Sequence, residues 1–225
     1  SCRTWRHRVQ HGLAIGLPLQ QRQETAMRRT VDYYLAPQSP WTYLGHERLA
    51  ALLRETGSAV RVLPMDLGKI FPLSGGLPLQ KRAPQRQAYR LLELRRFSEA
   101  LNIPLIPEPQ YFPVAGNPAA LLITAVALHD GDEAAMRITG AVLAAVWHQQ
   151  RDIASPELLA TLLAETGLSA ARLDDSLQAD VQARYEAQTQ AAIDLGLFGS
   201  PSYVIDGELF WGQDRLDFVA RKLQA

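Results

Sequence analysis

Cysteine is nearly missing: Cys2 is the single example in 225 residues. One thiol excludes an intramolecular disulfide, a cysteine-ligated zinc finger and dithiol redox chemistry. Charge of one sign is missing as well. Lys plus Arg and Asp plus Glu both number 23, so no bulk positive field points to nucleic acid or to an anionic membrane. No apolar run approaches the roughly 18 residues that a membrane-spanning helix requires. His7, His11, His46, His129 and His148 have no metal-ligand spacing with acids or with the cysteine. There is no Gly-x-Ser-x-Gly elbow, and Gly75-Gly76 lacks the Lys-Ser/Thr and strand-to-helix setting of a phosphate loop. Fixed-period repeats and low-complexity tracts are absent too.

What is there is ordinary globular material. The chain is 47% hydrophobic and 20% charged, enough apolar surface to offset the entropy of ordering it. The neutral total hides an asymmetry. Residues 1–29 carry Arg3, Arg6, Arg8, Arg22, Arg28 and Arg29 against one acid, Glu24, which leaves 17 basic and 22 acidic residues beyond them and a net charge there of −5. An Arg-rich, acid-poor leader fits a transit peptide, or a tail before a start at Met27. The tail is the reading taken here, and residues 1–27 are set aside from the fold.

From Thr30, Val31, Tyr33 and Leu35 alternate with Asp32 and Tyr34, the period of a strand. Ser39-Pro40 then supplies an N-cap and first-turn proline. Leu44, Leu49, Leu52 and Leu53 follow at helical spacing, and Gly57 ends the helix. Val60 to Leu63 is a second strand, completing a βαβ unit. Residues 66–84, rich in Gly and Pro, read as a loop. Helices are expected at about Gln85–Leu101, Ala119–His129, Glu133–Gln150 and Pro156–Glu165, with one long helical pattern from Ala170 to Leu195. Ser202–Ile205 and Glu208–Trp211 flank Asp206-Gly207, a type I′ hairpin signal. A last amphipathic helix follows, with Asp214 expected as its N-cap.

The order βαβ, helical block, ββα is that of an α/β thioredoxin-like fold with an all-helical insertion, the DsbA-like variant. It implies a thioredoxin-like domain from 28–66 and 196–225, with 67–195 as the inserted helical domain. Thiol-disulfide members place Cys-x-x-Cys where this chain has Ser39-Pro40-Trp41-Thr42. Without an attacking thiolate, disulfide exchange at this place is excluded. The segments Ser39-Pro40-Trp41-Thr42-Tyr43-Leu44, Phe198-Gly199-Ser200-Pro201-Ser202 and Leu209-Phe210-Trp211-Gly212-Gln213-Asp214-Arg215-Leu216 resemble 2-hydroxychromene-2-carboxylate isomerases, relatives of the kappa-class glutathione transferases. Gln87-Ala88-Tyr89-Arg90-Leu91-Leu92-Glu93-Leu94 and Tyr111-Phe112-Pro113-Val114 add to the likeness, which spans about Val31 to Leu223.

The resemblance implies glutathione as cofactor and gives each motif a role. The Ser39 hydroxyl would hydrogen-bond the glutathione sulfur. With the positive end of its helix it would favour thiolate over thiol. Taken alone, Ser39 is also a good helix cap. Pro201 would be cis, so that the Ser200 backbone pairs with the cysteinyl unit of glutathione; relatives often carry an apolar residue in place of Ser200. Gln213 and Asp214 would bind the γ-glutamyl end. Trp41, Tyr43, Phe71 and Trp211 are candidates for an aromatic slot. Lys69 is a candidate for a carboxylate, and Asn117 for a polar substrate contact. No metal is implied.

The implied reaction is cis-trans isomerisation of a 2-hydroxychromene-2-carboxylate-type aromatic acid to a trans-benzylidenepyruvate through a reversible glutathione adduct, in aromatic catabolism. The partner is a small aromatic carboxylate, in the cytoplasm, with no nucleic acid or membrane; a homodimer is compatible with the sequence and not required by it. Two other readings stay open: a kappa-like glutathione transferase or peroxidase, and a non-catalytic thioredoxin-like binding protein.

Overall fold

A computed structural model describes residues 28–225; the leader, residues 1–27, lies outside them. β1 (Thr30–Leu35) buries Val31, Tyr33 and Leu35 completely, as their alternation requires. α1 (Pro40–Thr56) starts at Ser39, whose hydroxyl accepts the Thr42 N–H at 3.2 Å, and stops at Gly57, which takes a φ of 64°. β2 (Ala59–Pro64) lies parallel to β1 with Leu35 opposite Pro64. The two strands therefore end together, and the elements after both emerge at one edge of the sheet.

The segment after β2 differs from the expected loop. Residues Leu67–Ser74 form a helix, α2, followed by a 3-10 turn at Leu79–Lys81. The Asp66 carboxylate caps α2 by accepting the Gly68 N–H at 2.9 Å, and Ile70 is buried beneath it. One cap and one buried side chain outweigh Pro72, which stays exposed in the outer turn.

The helical block continues with α3 (Pro84–Leu101), α4 (Asn117–Asp130), α5 (Asp132–Trp147) and α6 (Pro156–Glu165). The long pattern expected from Ala170 to Leu195 is broken. α7 (Ala171–Asp175) and α8 (Ala179–Asp194) are separated at Ser176, whose hydroxyl donates to the Leu173 carbonyl at 2.5 Å. β3 (Ser202–Ile205) and β4 (Glu208–Trp211) form the hairpin, with positive φ at both Asp206 (51°) and Gly207 (80°), as a type I′ turn needs. The sheet order is β2-β1-β3-β4, with β3 antiparallel to both its neighbours.

The final helix, α9 (Leu216–Gln224), begins later than expected, and Asp214 does not cap it. Gln213–Arg215 form a 3-10 turn closed by the Arg215 N–H on the Gly212 carbonyl at 3.1 Å. The Asp214 carboxylate pairs with the Arg215 guanidinium at 2.7 Å instead. The turn supplies its own acceptor, so the side chain is released from capping.

One hydrophobic core joins sheet and insertion. Val31, Tyr33 and Tyr203 from the sheet belong to the same buried cluster as Leu122, Val126, Ile138 and Trp147 from α4 and α5. Burial shared in this way packs the insertion against the sheet. None of the described helices is long and apolar enough to cross a membrane.

Candidate active site

Ser39 stands at the sheet edge where β1 and β2 end. Its hydroxyl accepts from the Thr42 amide and points its own proton at the Ser200 carbonyl, 3.4 Å away. That distance is long for an O–H donor, so the proton is loosely held and available to a better acceptor. The Ser200 side chain is fully used in the opposite direction. Its oxygen accepts the Ala36 N–H at 2.9 Å and shares a 2.6 Å hydrogen bond with the Thr42 hydroxyl. Burial without partners would be costly for each of these hydroxyls. Together they tie the start of α1 to the Ser200-Pro201 loop.

The Ser200–Pro201 peptide is cis, as the family resemblance implied. The Ser200 N–H has no acceptor among the described residues, and neither have the amides of Gln213 and Asp214. Pro201 accepts the Gly212 N–H at 2.9 Å, which brings the 3-10 turn beside the cis loop. Gln213 is buried, and its side-chain oxygen accepts from Arg48 of α1 at 2.6 Å. Its side chain thus braces the turn, and its backbone N–H is left free among the described residues. Asp214 remains half-exposed beside it.

The other candidates divide. Trp211 lies opposite Ser202 in the hairpin and packs on Phe198 with ring centres 5.0 Å apart, both rings partly open to solvent. At Gly199 the two come so close that a Cβ would meet the Trp211 indole and displace it. Trp41 is half-buried against the edge of Phe97 on α3, at 6.0 Å. Tyr43 ties α1 to the insertion, its hydroxyl donating to the Pro104 carbonyl; burial raises its pKa, with Glu47 adding to the effect. Lys69 is exposed in the first turn of α2, and the Phe71 ring lies over Gly76 beyond the end of the same helix. Asn117 opens α4 and accepts the Tyr185 hydroxyl at 3.0 Å. Gly116, just before it, sits so close to Gln38 that a Cβ would come 2.7 Å from the Gln38 Cδ. α4 thus starts beside the residue preceding Ser39. The structure brings Ser39, Ser200 and Pro201 together directly, with Trp211, Gln213 and Asp214 attached through the hairpin. It gives Lys69 and Phe71 no contact with that group.

Sequence reasoning gave no role to Thr42, Tyr185 or Gln38. Thr42 had a signal, since it fills the second cysteine position of the replaced motif. Gln38 adjoins Ser39 in the chain but shows its contact with Gly116 only in the fold, and Tyr185 meets Asn117 across 68 residues. His46 was rightly kept away from Ser39. Its Nδ1 accepts from the Tyr33 hydroxyl at 3.1 Å and its Nε2 faces the Met136 carbonyl at 2.9 Å, which assigns the proton to Nε2. Burial lowers its pKa, against the opposing pulls of Glu47 and the Met136 carbonyl. With both nitrogens committed, His46 cannot act as a base for Ser39. The arrangement is a loosely held hydroxyl proton at the start of α1 and free amides in the Ser200 loop and the 3-10 turn, groups that suit an anion. Among the described residues no cluster of His, Cys, Asp and Glu could hold a metal ion.

Comparisons with known proteins agree with this fold. The DSBA-like thioredoxin domain matches residues 30–224. A 2-hydroxychromene-2-carboxylate isomerase from Pseudomonas sp. (strain C18) is 31% identical, over 83% of this chain and 86% of its own length. Among solved structures, a 2-hydroxychromene-2-carboxylate isomerase superposes with a TM-score of 0.76 at 24% identity, covering 87% of this chain and 94% of the other. The cytosolic disulfide reductase DsbM from Pseudomonas aeruginosa with GSH superposes at 0.61 and 22% identity, covering 87% of this chain and all 100% of its own. Likeness in fold and in sequence converges, and the chain belongs to the 2-hydroxychromene-2-carboxylate isomerase family of DSBA-like thioredoxin-domain proteins.

Proposed function

We propose that this protein is a glutathione-dependent isomerase that converts 2-hydroxychromene-2-carboxylate-type aromatic acids to trans-benzylidenepyruvates. The observation that carries the reading is the Ser39 hydroxyl, in the former redox position, with its proton held only by a 3.4 Å contact to Ser200. The relatives named as isomerases support the reaction. A structural neighbour solved with GSH supports the cofactor.

The donor set fits glutathione. The Ser200 N–H and carbonyl, beside a cis proline, present the two groups that an extended cysteinyl backbone pairs with. The free amides of Gln213 and Asp214 suit the γ-glutamyl carboxylate, and the Asp214 carboxylate suits its ammonium. When bound, glutathione supplies a nucleophilic sulfur whose reversible addition makes a fixed double bond free to rotate. Ser39 turns its hydroxyl proton from Ser200 to that sulfur and lowers the thiol pKa, assisted by the start of α1. Thr42 holds Ser200 in place, and Arg48 holds the Gln213 turn. Trp41 and Trp211 would contact the substrate ring.

Turnover of 2-hydroxychromene-2-carboxylate with and without glutathione tests the reading. Isomerisation that requires glutathione and returns it unconsumed is expected. Glutathione retained in the product would make the protein a transferase, and binding without turnover would make it a non-catalytic relative; either result contradicts the reading.

A further inference from the structure

Arg90, on α3, carries a charge that the fold leaves unmatched. Its guanidinium carbon lies 5.4 Å from the Phe112 ring centre and 5.8 Å from that of Trp147, and these two rings are 4.8 Å apart. Trp147 is completely buried and Arg90 is half-buried. Among the described residues no hydrogen-bond acceptor or ion-pair partner meets the guanidinium. Burial pushes its pKa down to about 10, Arg82 adds to the fall, and Glu108 opposes it from an exposed position without contact. A cation withdrawn from water without an anion is unfavourable. Stacking on two aromatic faces offsets part of that cost. The planar donors around the rim of the guanidinium stay available, in the geometry that suits a carboxylate.

Its position connects this charge to Ser39 from two sides. Seven residues along α3 from Arg90, Phe97 meets the edge of Trp41, two residues after Ser39. In the other direction Phe112 precedes Gly116 by four residues, a reach of at most about 14 Å. Gly116 lies against Gln38, the neighbour of Ser39. α3 and the 112–116 segment thus each connect Arg90 and its rings to a neighbour of Ser39.

Resting on the isomerase reading above, we propose that Arg90 anchors the substrate carboxylate. The guanidinium would take both carboxylate oxygens while Phe112 and Trp147 hold it by stacking, and the substrate ring would lie toward Trp41 and Phe97. An aromatic acid fits, because Arg90 presents a guanidinium without an anionic partner among the described residues against two aromatic rings.

The test uses the full chain without glutathione and two unreactive probes, trans-cinnamate and the neutral trans-cinnamamide, followed by titration calorimetry. The unaltered protein is expected to prefer the acid at least tenfold. Arg90→Met should abolish the preference, leave cinnamamide binding unchanged, and leave separately measured glutathione affinity unchanged; Arg90→Lys should keep part of the preference. Equal binding of acid and amide by the unaltered protein, or a preference that survives Arg90→Met, would overturn the proposal. If Arg90→Met fails to fold, Arg90→Gln takes its place under the same criteria. Failure of the isomerase reading looks different: acid preference through Arg90 would persist in a protein that neither binds glutathione nor turns substrate over.

Discussion

His46 is seven residues from Ser39 and takes no part in its chemistry, yet it gives the molecule a pH dependence with a definite sign. Its two nitrogens are engaged by Tyr33 and Met136, and burial holds its pKa below the ordinary value. As pH falls, the unfolded chain takes up the proton first, at about 6.5. This contribution to stability is therefore complete above that pH and is lost as pH falls from there toward the lower folded value. His46→Gln removes the titration while keeping a polar side chain. The melting temperature of the parent should fall more steeply than that of the variant between about pH 7.5 and about pH 5.5, across the histidine range. Equal acid limbs would show that another group sets the slope. At the same scale, three hydroxyls take over the ground of two thiols. Ser39 was legible because the motif position is local. The part played by Thr42 was not, because its partner Ser200 lies 158 residues away.

Among the elements, α1 and the Gln213 turn behave as a single unit. Gly45 is where they touch: a Cβ there would come 2.8 Å from the Gln213 Cβ and 2.9 Å from the Tyr203 hydroxyl. Gly→Ala inside a helix ordinarily gains about 0.5–1 kcal/mol. Overpacking here costs about 1–3 kcal/mol, so the sign reverses. Gly45→Ala should lower the melting temperature by a few degrees, at roughly 2–4 °C per kcal/mol for a chain of this size. It should also weaken glutathione binding by displacing the turn amides. A more stable variant with unchanged affinity in calorimetry would contradict the packing account. Strong periodicity made β1, α1 and the hairpin readable from sequence. α2 was not, because Gly68, Pro72, Gly75 and Gly76 outweigh in composition the one cap, Asp66, that starts it. Asp214 was misassigned for the converse reason: a good capping residue lay just before a helix, but the 3-10 turn in front of that helix closes through its own backbone.

For the whole molecule, a core shared between sheet and insertion lets a small sheet present a rigid edge. Val31 and Tyr203 share that core with Ile138 and Trp147, and Tyr43 and His46 fasten α1 to the insertion by hydrogen bonds. The order of elements along the chain was enough to read this architecture. The surroundings of the site were not, since Gly116 meets Gln38, and Tyr185 meets Asn117, only through contacts between distant segments. Ser39 is the point on which the functional account turns. The thiolate absorbance of the glutathione complex, followed against pH in the parent and in Ser39→Ala, tests it most directly. The bound thiol is expected to ionise well below the ordinary thiol value of about 8.5 in the parent, and to return toward that value in the variant. An unshifted thiol in the parent, or the same ionisation in both proteins, would contradict the account and leave Ser39 as the cap of a helix alone.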